Sequence, residues 1–116
     1  MKKFQCVYFQ TLSGKAPVKE FIDSLHGRTQ QKFFTVAGLL EEFGKGLPKP
    51  HADYLGDEIY ELRVAGIEGK VRALYFFYDG GRIVLTNGFL KKRQKTPVRE
   101  IELAKKRRKI YLERQK

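Results

Sequence analysis

A single cysteine, Cys6, excludes an internal disulfide framework, so whatever fold this chain adopts rests on its core. Cys6 lies in the run from Phe4 to Phe9, which reads as a strand, and a small buried apolar side chain is a simpler reading than a reactive thiol. Histidine is almost as scarce. His26 and His51 are scattered, and only His51 with Asp53 and Asp57 makes a loose cluster, too sparse in ligands for a metal centre. No metal and no cofactor is therefore expected. No run approaches the ~20 apolar residues that span a bilayer, and Met1-Lys2-Lys3-Phe4-Gln5 lacks the apolar core of a signal peptide, so a cytoplasmic location is expected. The chain also lacks a Gly-rich phosphate loop, a nucleophile elbow, internal repeats, low-complexity segments and linkers.

What is present suits one domain. At 116 residues there is room for one modest core, and 41% hydrophobic with 13% aromatic residues is too rich for a disordered chain. The charge is informative in its placement. Residues 91–116 hold 12 Lys/Arg and 3 Asp/Glu, a net of +9, while residues 1–90 hold 12 and 10, a net of +2, which together give the overall +11. A positive field concentrated in the last quarter attracts polyanions, nucleic acid first, and then acidic protein segments or anionic lipid.

Periodicity predicts an α+β domain, residues 1–116, in the order β-α-α-β-β-β-α. Phe4–Phe9 is a short strand. Pro17 starts a helix whose Val18, Phe21, Ile22 and Leu25 share one face, and Gly27 reads as its stop. A second helix from about Arg28 to Phe43 turns Phe33, Val36, Ala37 and Leu40 inward, so the two form an N-terminal helical hairpin. Gly46, Pro48, Pro50 and Gly56 make Lys45–Asp57 a loop. The period then changes to two. Tyr60, Leu62 and Val64 alternate with Glu61 and Arg63, a turn around Gly66–Gly69 leads to Val71–Tyr78, and Asp79-Gly80-Gly81 closes a hairpin onto Arg82–Leu90. Thr96-Pro97 reads as an N-cap and first-turn proline of a C-terminal helix. A small antiparallel or mixed sheet follows.

Two constellations have the chemistry to grip an anion. Arg63 and Arg72 sit on adjacent strands across a short turn, and two guanidiniums in one concavity repel unless an anion or carboxylate lies between them. A cross-strand ion pair from Glu61 to Arg72 is the competing structural explanation, and parity alone leaves the face of Arg72 open. The second is Lys91-Lys92-Arg93-Gln94-Lys95, four cations at a strand exit just before a helix start whose free N–H groups also favour anions. The later run Lys105, Lys106, Arg107, Arg108 and Lys109 spans more than a helical turn, so it cannot all face one groove and reads as general attraction for RNA or an acidic partner.

Ile59-Tyr60-Glu61-Leu62-Arg63-Val64, then Arg72-Ala73-Leu74-Tyr75-Phe76, then FLKKRQKTPVREIE from Phe89 to Glu102 with Ala104, resemble the phage-associated HigB-type toxins of the RelE/ParE superfamily. The resemblance in element order covers nearly the whole chain, and the distinctive motifs about its second half. It implies a RelE-like fold and the toxin of a type II toxin–antitoxin system, neutralised by a cognate antitoxin, often a helix-turn-helix protein. It further implies metal-free cleavage of messenger RNA on the ribosome, an endoribonuclease activity that inhibits translation. Arg63 and Arg72 resemble the cationic strand positions of the RNA-cleaving members, and Lys91, Lys92 and Lys95 their basic cluster after the last strand. For proton transfer Glu61, Lys92 and Lys95 are chemically suited. No histidine or tyrosine matches the family's C-terminal catalytic position, since Tyr111 falls late. A ParE-like gyrase inhibitor and a non-catalytic RNA-binding module stay open, because the superfamily hosts more than one activity on one scaffold.

Overall fold

Runs of aliphatic and aromatic residues, buried on both faces in the central strands, build the centre of the molecule, a five-stranded mixed sheet in a computed structural model that describes residues 2–116. Its strands are β1 (Gln5–Tyr8), β2 (Ala52–Gly56), β3 (Ile59–Gly66), β4 (Gly69–Tyr78) and β5 (Arg82–Lys91), in spatial order β1-β5-β4-β3-β2. β1 runs parallel to β5, and the other neighbours are antiparallel. The β4–β5 turn uses Gly80 and Gly81 at φ of 79° and 85°, a backbone region that glycine enters without strain.

Three helices complete the chain: α1 (Pro17–Asp23), α2 (Gly27–Phe43) and α3 (Val98–Arg114). Alternation along the strands sorts the core into two layers. Leu62, Val64, Val71, Ala73, Tyr75, Ile83 and Leu85 meet Val18 and Ile22 of α1 and Phe33, Ala37 and Leu40 of α2. Ile59, Leu74, Phe76 and Val84 on the opposite face meet Ala104 of α3, with Phe9. Two helices cover one face of the sheet and one covers part of the other, the layering of an α+β domain.

The structure departs from the sequence reading at three places. Lys45–Asp57 is not all loop. After a 3-10 turn at Gly44–Gly46, Ala52–Gly56 pairs with β3 as an edge strand. The element order is therefore β-α-α-β-β-β-β-α. Gly27 does not stop α1 but opens α2, whose N-cap is His26, its Nδ1 accepting the Arg28 N–H at 3.1 Å. Thr96 does not cap α3. Pro97 occupies that position, and the Thr96 hydroxyl donates to Glu61 Oε2.

A polar clasp fixes the β3–β4 turn to the start of α2. Thr29 Oγ1 donates to Glu68 Oε1 at 2.6 Å and accepts from the Ile67 N–H at 3.0 Å, while the other Glu68 oxygen accepts from the His26 N–H. These hydrogen bonds, led by that of Thr29, hold the Glu68 carboxyl below its ordinary pKa. Gly66 lies against this clasp, and a Cβ there would sit 2.5 Å from Thr29 Cγ2 and 2.9 Å from its Oγ1. Gly66→Ala must push Thr29 off its partners, so unfolding by urea should show a loss of about 1–3 kcal/mol. An unchanged midpoint would mean that the clasp yields freely.

Candidate nucleic-acid interface

Register decides what parity left open. Arg63 stands directly opposite Arg72, so both project from the same face of the sheet. Three rows cross β3, β4 and β5 on that face: Glu61–Leu74–Asn87, Arg63–Arg72–Phe89 and Ala65–Lys70–Lys91. α3 covers only part of this face. Its first turn is tied to the first row by Asn87, whose Nδ2 donates to the backbone carbonyl and Oε1 of Glu100. The other two rows, with four cations, lie at the end of the sheet beyond that tie.

One carboxylate supports the arginines. Glu61 is fully buried, accepts from Arg63 Nε at 3.0 Å through Oε1 and from Thr96 through Oε2, and lies 3.7 Å from Arg72 Nε. Arg63 is forked between two acids, because its Nη2 also donates to Asp53 at 3.0 Å. Arg72 is held more loosely. Its Nη1 donates to the Val71 carbonyl at 3.0 Å, and its Nε is buried without a hydrogen bond. Burial lowers the Arg72 pKa, Arg63 adds to the effect, and Glu61 opposes it. Lys91, at the end of β5, is partly buried. Desolvation lowers its pKa first, the charges of Arg72, Arg63 and Lys70 lower it further, and Glu61 pulls the other way.

The remaining candidates divide. Lys92, Arg93 and Lys95 are exposed in the loop between β5 and α3, within a few residues of Thr96. On α3, Lys106 and Lys109 face solvent, and Lys105 pairs with Asp57 at 3.2 Å and Glu102 at 3.1 Å. Arg107 turns inward to donate to the Thr86 carbonyl at 2.8 Å, and Arg108 lies over the Phe76 ring. The expectation that this run cannot face one groove therefore holds, with two of its five members folded against the sheet. Tyr111 packs on Phe76 and Tyr78, and its hydroxyl accepts from Arg82 at 2.8 Å. His51, Asp53 and Asp57 do not converge. The two aspartates pair with Arg63, Lys49 and Lys105, and among the described residues no three His, Cys, Asp or Glu side chains gather to hold a metal ion. No helix among the described residues is long and apolar enough to cross a membrane.

Sequence reasoning assigned Lys91 to binding and missed its special environment, since nothing in the chain order shows that Lys70 lies opposite it. Fold and site together define a small α+β domain with a cation-rich sheet end braced by one buried glutamate. Residues 20–109 match the family described as "Phage derived protein Gp49-like (DUF891)". The chain belongs to that family, which is associated with toxin–antitoxin systems. No curated protein matches the chain.

Proposed function

We infer that this protein is the toxin of a toxin–antitoxin pair, with a RelE-like fold and the HigB-type activity of cutting messenger RNA on the ribosome. Its family association supports the toxin reading. The single observation that carries the chemistry is the opposed Arg63–Arg72 pair beside the Lys70–Lys91 pair at an uncovered sheet end. Four cations against two carboxylates, the buried Glu61 and the partly exposed Asp53, leave an excess of positive charge where a phosphate would sit.

In metal-free cleavage the RNA 2′-oxygen attacks the adjacent phosphorus and loses its proton to solvent. The bond from phosphorus to the 5′-oxygen breaks, leaving a 2′,3′-cyclic phosphate and a 5′-hydroxyl. Arg72, aided by Arg63, stabilises the extra negative charge on the phosphoryl oxygens. Lys91 protonates the departing 5′-oxygen, a role suited to an ammonium whose pKa is drawn below that of an ordinary lysine. Glu61 orients the arginines, and its burial leaves it no face toward RNA. The exposed Lys92, Arg93 and Lys95, with Lys106 and Lys109, draw in the RNA or ribosome.

Total RNA from cells expressing the protein, mapped at nucleotide resolution, tests this reading. New 5′ ends inside coding frames are expected, and Arg72→Lys, which keeps the charge but loses the fork, should reduce them by about a hundredfold. Growth arrest with intact messages and altered DNA supercoiling would sink the endonuclease reading in favour of a gyrase target.

A further inference from the structure

Aromatic residues gather on the α1–α2 face of the sheet, at the end away from the four cations. Register lines up Tyr54 of β2, Tyr60 of β3 and Tyr75 of β4 in one row, and Phe77 follows two residues along β4. Ring centroids lie 4.8 Å apart for Tyr54–Tyr60, 5.5 Å for Tyr60–Tyr75 and 5.1 Å for Tyr60–Phe77, and Phe4 meets Phe77 at 5.7 Å. Tyr75 is buried, but Tyr60 and Phe77 are only partly covered and Tyr54 is 51% exposed. Packing of the rings on one another accounts for the buried side of this array and not for the open one.

Charge suits the open side to a polyanion that carries flat neutral groups. Lys45 Nζ stands over the Phe77 ring, 5.4 Å from its centroid. Lys49 Nζ is 3.7 Å from Asp53, the residue before Tyr54 and a carboxylate that Arg63 also uses. Burial first, and then the charge of Glu58, raises the Tyr60 pKa, so its hydroxyl stays a donor. Glu58 also repels phosphate, so Tyr60 suits a neutral base better than a charged backbone. Rings spread over neighbouring strands of an open sheet face, with lysines close by, are an arrangement on which unpaired bases stack. The attraction of a chain with net charge +11 acts in the same direction.

We propose that Tyr54, Tyr60 and Phe77 form a base-stacking site for single-stranded RNA, with Lys45 and Lys49 holding its phosphates. Tyr60 precedes Arg63 by three residues on β3, roughly 10 Å along the strand. β2 is the edge strand, so RNA leaving the Arg63–Arg72 pair passes around β2, by Lys49, to reach Tyr54. That this RNA is the message being cut rests on the toxin reading above. That the rings stack RNA bases does not. In the toxin, nucleotides flanking the cut are gripped here, so the site raises affinity for the message without touching the reacting phosphate.

The probe is a fluorescein-labelled 2′-O-methyl oligouridylate, which lacks the attacking hydroxyl and stays uncut. An abasic strand of equal length and charge is its counterpart, and fluorescence anisotropy at fixed salt reads both. Tyr54→Leu keeps an apolar side chain but removes the ring. It should weaken the oligouridylate by about fivefold or more and the abasic strand by less than about twofold. Phe34→Leu, on α2 with the same 51% exposure, should change neither by more than about twofold. Lys45→Glu should weaken both strands. In the spectrum of nitrogen-15-labelled protein, amide shifts at Tyr54, Tyr60 and Phe77 should follow the oligouridylate and not the abasic strand. Circular dichroism checks that each variant is folded, and Tyr54→Thr, a good strand former, is used if Tyr54→Leu is not. Unchanged oligouridylate binding by a folded Tyr54 variant, equal weakening of the two strands, or equal weakening by Phe34→Leu would overturn the proposal. So would a proline-rich peptide that shifts these amides where RNA does not, which would give the rings to a protein partner. Binding is read here without cleavage. New 5′ ends can fail to appear while RNA still stacks on Tyr54, and RNA that ignores Tyr54 leaves the mapping of 5′ ends untouched.

Discussion

Lys91→Met should slow message cleavage by about 10²- to 10⁴-fold, the range over which a positioned general acid acts, while changing the urea midpoint little. Met keeps the length and apolar stem of lysine, and among the described residues no carboxylate forms an ion pair with Lys91 that its loss would strand. Removing a cation from beside Arg63, Arg72 and Lys70 even relieves repulsion. A rate loss alone would not separate proton donation from phosphate binding. A message with sulfur in place of the bridging 5′-oxygen at the cut site does separate them, because a thiolate leaves without a proton. On that substrate Lys91→Met should recover most of the lost rate, whereas Arg72→Lys should stay slow. If the sulfur substrate rescues neither, Lys91 binds RNA and donates no proton. The direction of the wild-type pH dependence follows from the same group. The active form is the ammonium, so on the oxygen substrate the rate is lost as pH rises through a pKa drawn below the ordinary 10.5 of lysine.

The helices and central strands were legible because their apolar spacing is local. Val18 and Ile22 at helical spacing in α1, and Phe33, Ala37 and Leu40 in α2, are buried as that spacing requires, while Leu25 is buried just past the end of α1. Leu62 and Val64 turn toward α2 while Glu61 and Arg63 turn away, which period two alone predicts. β2 was hidden because Ala52–Gly56 has little strand character of its own and follows Pro48 and Pro50. Its strandness is conferred by β3, a non-local partner. Thr96 reads as a cap from its neighbours in sequence, yet a buried carboxylate 35 residues earlier takes its hydroxyl. The site follows the same division. The residue types that bind anions were visible, and so was the Arg63–Arg72 proximity. Which face they share, that Glu61 is enclosed, and that burial, with the charges of Arg72, Arg63 and Lys70, depresses Lys91 depend on register and on how far α3 reaches along the sheet.

Glu61→Leu should lower stability by about 3–5 kcal/mol, the usual consequence of removing one partner from a buried ionic cluster. The loss is unequal among its neighbours. Arg63 retains Asp53 at 3.0 Å, and its side chain is one-quarter exposed, so water and the remaining acid sustain its charge. Among the described residues Arg72 has no second carboxylate. Only one-tenth of its side chain is exposed, and its Nε is already without a hydrogen bond. The Thr96 hydroxyl loses its acceptor as well, which loosens the segment that leads into α3. In a domain of this size the deficit corresponds to a fall in Tm of roughly 10–20 °C. Adding Arg72→Met to Glu61→Leu should restore much of it, since a buried ion pair replaced by apolar groups of similar volume is often neutral or stabilising. That double variant should fold yet leave messages uncut, because the fork facing the phosphate is gone. Urea unfolding of the single and double variants measures both steps. A Glu61→Leu protein within about 1 kcal/mol of wild type, a change of the size seen for surface pairs, would show that Glu61 does not brace the arginines. The cleavage site would then need another source of preorganisation.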